Sequence, residues 1–297
     1  MLLRPVRDSS QDAEAVRSAA HAARTAADGT GGGPPLPLPA DPDAGRWHSH
    51  IRHLARTDPG GCWLAEDAAG RTVGAALSTR REGTWGLSLL AVRPEAQGRG
   101  VGTALLRRAM DHGRACLRGI VCGGTPHPAA ARVCRRAGLE LHPAMRLTGT
   151  VSVKRLPVPD GVVAGGGPGD RDLMDSVDRR LRGGAHGPDH EELLRHTRLL
   201  VTDDFTGSGY CYVREEGAAG GVELLAATSR RLATRLLTAA LGVLGEGRAV
   251  LVHSLTAEQQ WAVDVGLAAG LEVGTAGYVC LRGMRPPTPY IPSAAFL

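Results

Sequence analysis

Residues 87–110, LSLLAVRPEAQGRGVGTALLRRAM, set three glycines between an apolar run and a helical pattern: Gly98, Gly100 and Gly102. Glycine lets a backbone turn left-handed and lets a ligand approach it closely. The helix that follows has free N–H groups in its first turn and the positive end of its dipole there. Arg99 adds a full charge beside them. The combination is a cradle for a diphosphate-like anion. The spacing G-x-G-x-G is not the dinucleotide fingerprint, and no GK[ST] follows, so the residues alone leave the phosphorylated ligand open. A plain strand-to-helix turn is the bland alternative, but it would not need the chain entropy that three alternating glycines cost.

The elements that must hold this loop follow from pattern. Residues 2–7 read as a short strand. A helix capped by Ser9 or Ser10 runs to about residue 27, with Asp12 and Glu14 in its first turn. The Gly/Pro-rich stretch 28–45 reads as a long loop, and residues 47–57 as a short helix. Three strand-like runs come next, at 62–66, 72–79 and 84–92, the last stopped by Pro94. A helix over about 100–115 carries apolar rows at Val101, Leu105, Ala109 and at Leu106, Met110. A strand at 120–122, a helix at 128–137 ended by Gly138, and extended chain at 139–153 complete the order β-α-α-β-β-β-α-β-α-β.

At 297 residues the chain suits two domains of similar size, expected at 1–155 and 156–297 with a linker near 157–160. Residues 1–150 hold 20 basic and 13 acidic side chains, a balance of +7; the remaining 15 and 17 give −2. A basic first half suits an anionic ligand. No basic stripe interleaved with aromatics is present, so nucleic acid is not expected as a partner. None of the six cysteines forms a CxxC pair, which argues against a zinc or redox motif, and no metal is expected. No run approaches a membrane span and no signal core opens the chain, so a cytoplasmic location is expected.

Gln97-Gly98-Arg99-Gly100-Val101-Gly102 resembles the signature Q/R-x-x-G-x-G/A of the GNAT superfamily of N-acetyltransferases, and Leu90, Ala91, Val92 and Pro94 resemble the strand before it. The likeness extends in element order over roughly residues 3–150, and the tail resembles those of tandem-domain members from actinobacteria. It implies a mixed α/β fold with a mainly antiparallel sheet, occurring twice as two tandem GNAT-like domains. It implies acetyl-CoA as co-substrate, its pyrophosphate on the amides of Gln97 to Gly102 and Thr103. Its pantetheine arm would lie along Leu90, Ala91 and Val92 like an added strand.

Catalytic groups are less legible. A later family motif, N-x-x-A-x-x-x-Y-x-x-x-G-F, is met by His127, Ala130, Cys134, Gly138 and Leu139. His127 stands at the position of the Asn and Cys134 at that of the Tyr, which in many members protonates the leaving thiolate. A thiol has a suitable pKa, roughly 8.5, although Cys134 reads equally as a small buried hydrophobe. Members often carry a Glu on the strand before the loop; residues 85–92 hold no carboxylate. Glu66 and Glu82 are then the nearest candidate bases, with exposed structural charge as the plainer reading of each. His48, His50 and His53 read as a solvated polar helix face near the acceptor cleft rather than as metal ligands.

The second half repeats the landmarks. Leu224, Leu225 and Ala226 echo Leu89, Leu90 and Ala91; Leu236 and Leu237 echo Leu105 and Leu106; Gly270 echoes Gly138. Matched spacing argues for an internal duplication. The glycine loop is replaced by Ala227-Thr228-Ser229-Arg230-Arg231-Leu232, which holds no glycine, so this half is expected not to bind CoA. GVVAGGG at 161–167 reads as a Gly-rich strand edge or loop. The tail, with Tyr290, Ile291, Phe296 and Leu297, is expected to pack on a domain surface.

The expected function is direct acetyl transfer from acetyl-CoA to a primary amine on a small molecule or peptide, with a homodimer as a compatible assembly. The rival is a non-catalytic acyl-CoA-binding module. A third reading is an acyltransferase that uses a longer acyl-CoA, similar to the tandem mycothiol synthases, in which the retained active half is the second, the reverse of this chain.

Overall fold

A computed structural model describes residues 1–28, 44–124, 128–215 and 219–297. The element order β-α-α-β-β-β-α-β-α-β occurs twice. The first pass comprises β1 Leu2–Pro5, α1 Ser10–Asp28, α2 Ala44–Thr57, β2 Cys62–Glu66, β3 Thr72–Arg81, β4 Thr84–Val92, α3 Val101–His112, β5 Arg118–Gly124, α4 Pro128–Arg136 and β6 Glu140–Thr150. The second comprises β7 Ala164–Gly165, α5 Arg171–Leu181, α6 Asp189–His196, β8 Arg198–Asp204, β9 Gly207–Arg214, β10 Gly220–Ala227, α7 Arg230–Leu244, β11 Ala249–Leu255, α8 Gln260–Ala268 and β12 Glu272–Arg282. A short strand, β13 Tyr290–Ile291, follows. The stretch 28–45 read as a loop lies almost wholly outside the described residues. No described helix is long and apolar enough to cross a membrane.

Compactness groups the chain into two units. One holds Met1–Leu141, Cys280–Gly283 and Ala295–Leu297; the other holds His142–Val279 and Met284–Ala294. Chain order and units therefore diverge at the closing strands. β6 pairs antiparallel with β11 in the second unit, from Ala249↔Thr150 to Leu255↔Met145. In the first unit the place beside β5 goes to β12, at Cys280–Gly283. Pattern reading cannot see this, because either strand satisfies the same apolar alternation.

In the first unit β1, β2, β3 and β4 form antiparallel ladders and β5 runs parallel to β4. Helix α3 buries Val101, Leu105, Leu106 and Ala109, the rows expected from its period. Asp58 is 1% exposed and holds the guanidinium of Arg81, His112 Nε2 at 3.0 Å and the Arg80 amide at 2.9 Å. Although burial opposes ionisation, His112 and Arg81 hold its pKa down at about 2.

In the second unit β7 to β11 follow the same plan, and the core groups Leu225, Leu236, Leu237, Ala240 and Val252 with Trp261. Gly138 and Gly270 are both left-handed, at φ 81° and 85°, and each ends a helix. The next amides bond back, Leu139 to Cys134 O and Leu271 to Gly266 O. The same cap at matching places supports the duplication on physical grounds, since only glycine adopts this turn without strain.

One expectation about side chains is corrected and another is met. His50 and His53 are buried at 8% and 6%, not solvated, because the ring of Phe296 meets them edge-on at 4.7 and 5.8 Å. The apolar tail residues do pack against protein: Tyr290, Ile291 and Leu297 have no exposure and Phe296 has 3%.

Candidate functional site

The site is built where β4 ends. Opposite β3, Leu77 pairs with Leu89 but Ser78 pairs with Leu87, so Ser88 is an extra residue in β4. Such a bulge bends its strand. The Ser88 hydroxyl donates to Leu77 O at 3.3 Å and holds the bend. β4 pairs with β5 from Thr84↔Arg118 to Leu87↔Val121 and no further. Past Ser88, residues 89–92 remain paired with β3 while their other edge faces the gap toward β5. An unpaired strand edge offers alternating N–H and C=O groups to an extended ligand that carries amides.

Beyond Val92 the chain makes a 3₁₀ turn at Pro94–Ala96 and enters the glycine loop. Gln97 Nε2 donates to Val92 O at 3.0 Å, tying the loop to the end of the strand. Gly98 and Gly100 are left-handed, at φ 75° and 81°, and a side chain at either would meet nothing within 4 Å. Space, left-handed backbone and exposure coincide there. Gly100 is the N-cap of α3, and no side chain caps the helix. The amides of its first turn, including those of Val101, Gly102 and Thr103, therefore have no intrahelical acceptor. A Cβ at Gly102 would touch Val92 Cγ2 at 3.4 Å, so this glycine serves packing of helix on strand. Arg99 is exposed beside the loop. The donors and the open cradle fit a diphosphate, and the free edge at Leu90, Ala91 and Val92 fits an amide-bearing arm.

The other candidates are not gathered at this point. Arg4 Nε holds Glu66 at 2.6 Å and also binds Asp12, so the Glu66 carboxylate is half of a structural ion pair. Glu82 lies in the β3–β4 turn with φ 43°. At about 3.3 Å per strand residue it is roughly 25 Å from Leu90 along β4. Cys134, 9% exposed on α4, shares a hydrogen bond with Cys280 that lowers its pKa and raises that of Cys280. A thiol so placed packs as a small apolar group. Cys134→Ala is expected to leave kcat within about threefold of wild type, measured by release of free CoA thiol; a loss of a hundredfold or more would make Cys134 the proton donor. His127 lies outside the described residues.

The tail reaches the strand that carries the site. A Cβ at Gly86 would stand 2.5 Å from Leu297 Cδ1 and 2.8 Å from Thr79 Oγ1, so Leu297 packs on β4 just before its bulge. The bare glycine at 86 is the only sequence signal of this contact. Among the described residues one group, Asp178 with His186 and His190 in the second unit, has ligand atoms close enough together for a metal ion. These atoms are engaged with one another. His186 Nδ1 and His190 Nε2 lie 2.6 and 3.2 Å from Asp178 Oδ2, and the Tyr210 hydroxyl donates to Oδ1.

The comparisons with known proteins agree with this geometry. Residues 33–139 match the model of the Acetyltransferase (GNAT) family, and the chain carries a GNAT acetyltransferase domain. A mycothiol acetyltransferase of Nocardia farcinica is 43% identical over 77 residues, which cover 25% of this chain and 25% of that protein. A putative acetyltransferase structure from Pyrococcus horikoshii superposes with a TM-score of 0.71 at 17% identity, covering 100% of this chain and 95% of its own. A tandem GNAT protein from the clavulanic acid biosynthesis pathway gives a TM-score of 0.57 at 17% identity over 96% of this chain and 99% of its own. The fold is the tandem GNAT arrangement.

Proposed function

We propose that the first unit is an N-acetyltransferase that uses acetyl-CoA and a primary amine on a small molecule or peptide. One observation carries the reading: an open left-handed glycine loop and an uncapped helix stand directly after strand residues 89–92, whose outer edge has no strand partner among the described residues. Acetyl-CoA supplies an activated thioester acetyl group. The amides of residues 98–103 would hold its diphosphate, with Arg99 adding charge. The free edge of Leu90, Ala91 and Val92 would hold the arm and aim a preorganised amide at the acyl oxygen, where negative charge develops on attack. Holding both reactants at one strand converts an encounter in solution into a local one. This electrostatic and positional contribution does not require a side chain on β4.

A binding role without turnover is favoured by a separate observation: Glu66 is tied to Arg4, Glu82 is at the far turn and Cys134 is buried. The two readings part in one experiment. Wild type is incubated with acetyl-CoA and a panel of small primary amines, amino acids and short peptides while free CoA thiol is followed. Amine-dependent thiol release with a matching N-acetyl product is expected. Tight acetyl-CoA binding with no amine raising thiol release above background would leave the binding role standing.

A further inference from the structure

The second unit contains the same bulged strand, but its gap is filled. Opposite β9, Val222 pairs with Val213 and Leu224 with Tyr212, which leaves Glu223 as the extra residue of β10. β10 pairs with β11 only at Gly220↔Val250 and Gly221↔Leu251. Past the bulge its free edge is taken by β13, antiparallel, with Leu225↔Ile291 and Ala226↔Tyr290. The Ala227 amide donates to Pro289 O at 3.4 Å. In the first unit the equivalent edge, at Leu90 and Ala91, is the one left open.

Side chains hold the occupant in place. Gln259, 2% exposed, donates through Nε2 to Pro287 O at 2.8 Å, and its Oε1 accepts from the Tyr290 amide at 3.4 Å and from Trp261 Nε1 at 2.9 Å. One amide side chain thus reads an acceptor and a donor of the same strand. The Tyr290 hydroxyl meets His186 Nε2 at 3.3 Å, and the Ser293 hydroxyl donates to Glu223 Oε1, at the bulge, at 3.2 Å. Tyr290, Ile291 and Ser293 have no exposure. The anion end is also satisfied by protein. Ser229 caps α7 by accepting from the Leu232 amide, where Gly100 leaves α3 bare. Arg235 is held by Asp160 and Asp204, each at 2.8 Å.

We infer that the cleft of the second unit is a peptide site and not an acyl-CoA site: it takes an extended apolar strand by β-addition, and its occupant is this chain's own residues 287–293. Interactions that an acyl-CoA would need at the strand edge and at the helix start are made by protein. A strand supplies the amide-bearing arm, a serine hydroxyl takes a first-turn amide, and no left-handed glycine loop precedes the helix. This goes beyond the proposed activity of the first unit and does not depend on it.

The test inserts a protease recognition sequence between Arg285 and Pro286 of the full chain; Arg285 is exposed. After cleavage, size exclusion and mass spectrometry follow the severed tail. The expected result is a tail that co-elutes with the body, and a Tyr290→Asp/Ile291→Asp chain whose tail is lost at least tenfold faster. If that chain does not fold, a labelled peptide of residues 286–294 is added in excess to the cut wild type; it lacks the residues counted in the first unit. It is expected to bind, and its doubly substituted form is not. Acetyl-CoA titrated by calorimetry is expected to occupy no second site before or after cleavage. A tail that washes out, equal retention of the substituted tail or peptide, or a second acetyl-CoA equivalent that displaces the tail would each overturn the inference. Absence of the first equivalent would count against the activity proposed above and leave the peptide readout intact.

Discussion

Gly100→Glu is expected to weaken acetyl-CoA binding by at least a hundredfold while the protein remains folded. Gly100 sits at φ 81°, where a side chain costs about 1–2 kcal/mol of backbone strain. A Cβ there meets no described protein atom within 4 Å, so the side chain starts in open space. Its carboxylate enters the space that the proposed reading assigns to a diphosphate. Repulsion adds to steric exclusion at the same amides that should donate. Gly100→Ala separates the contributions, since it carries the strain without the charge and is expected to retain most of the affinity. Calorimetric titration of acetyl-CoA into the three proteins checks this. Equal affinity of wild type and Gly100→Glu would move the site away from the loop.

The second large effect lies in the core of the second unit. Asp178 is fully buried, and its carboxylate accepts from His186 Nδ1, the His186 amide, His190 Nε2 and the Tyr210 hydroxyl. Asp178→Ala removes the acceptor that these four donors share. Breaking a buried, hydrogen-bonded charge costs about 3–5 kcal/mol. For a unit of this size the melting temperature should fall by roughly 10 °C. Asp178→Asn keeps one accepting oxygen and should lose less. A melting temperature of Asp178→Ala within 2 °C of wild type would show that the network carries little stability.

The same cluster sets a pH dependence. Burial lowers the pKa of His186 to about 4, with Arg182 adding to the shift. The unfolded chain then binds a proton near the ordinary value of about 6.5 that the folded chain refuses. Stability from this group is present above pH ~6.5 and is lost as pH falls toward 4. The pKa of Asp178 is also depressed. Its burial is outweighed by His186 and His190, so its contribution is lost only in stronger acid. Melting curves between pH 7.5 and 4 should therefore descend below about pH 6.5. His186→Gln, with no proton to gain, should flatten that part of the curve.

The glycine loop was legible because φ is a local property. Gly98 and Gly100 adopt the left-handed turn for which their residue type is suited, and the helix after them follows from its own apolar rows. The doubled order of elements was legible for the same reason. The free edge of β4 was not, since a bulge at Ser88 exists only relative to the register of β3. Tyr290–Ile291 is too short, and too closely flanked by prolines, to show a period of two. His50 and His53 read as solvated because the ring that covers them, Phe296, is remote in sequence. The Asp178 network joins α5, α6 and β9, so no spacing along the chain announces it.

The exchanged closing strands have a consequence for biosynthesis. A chain leaving the ribosome presents β1 to β5 early, but the strand that covers the outer edge of β5 arrives only with Cys280–Gly283. Phe296 and Leu297, also buried in the first unit, arrive later still. Until then a strand carrying Ile120, Val121 and Cys122 has an open edge, the kind of template on which nascent chains pair with one another. The amino-terminal unit thus cannot be completed in the order in which it is made. A stop codon anywhere before residue 280 would release a polypeptide with this edge uncovered, however intact its glycine loop.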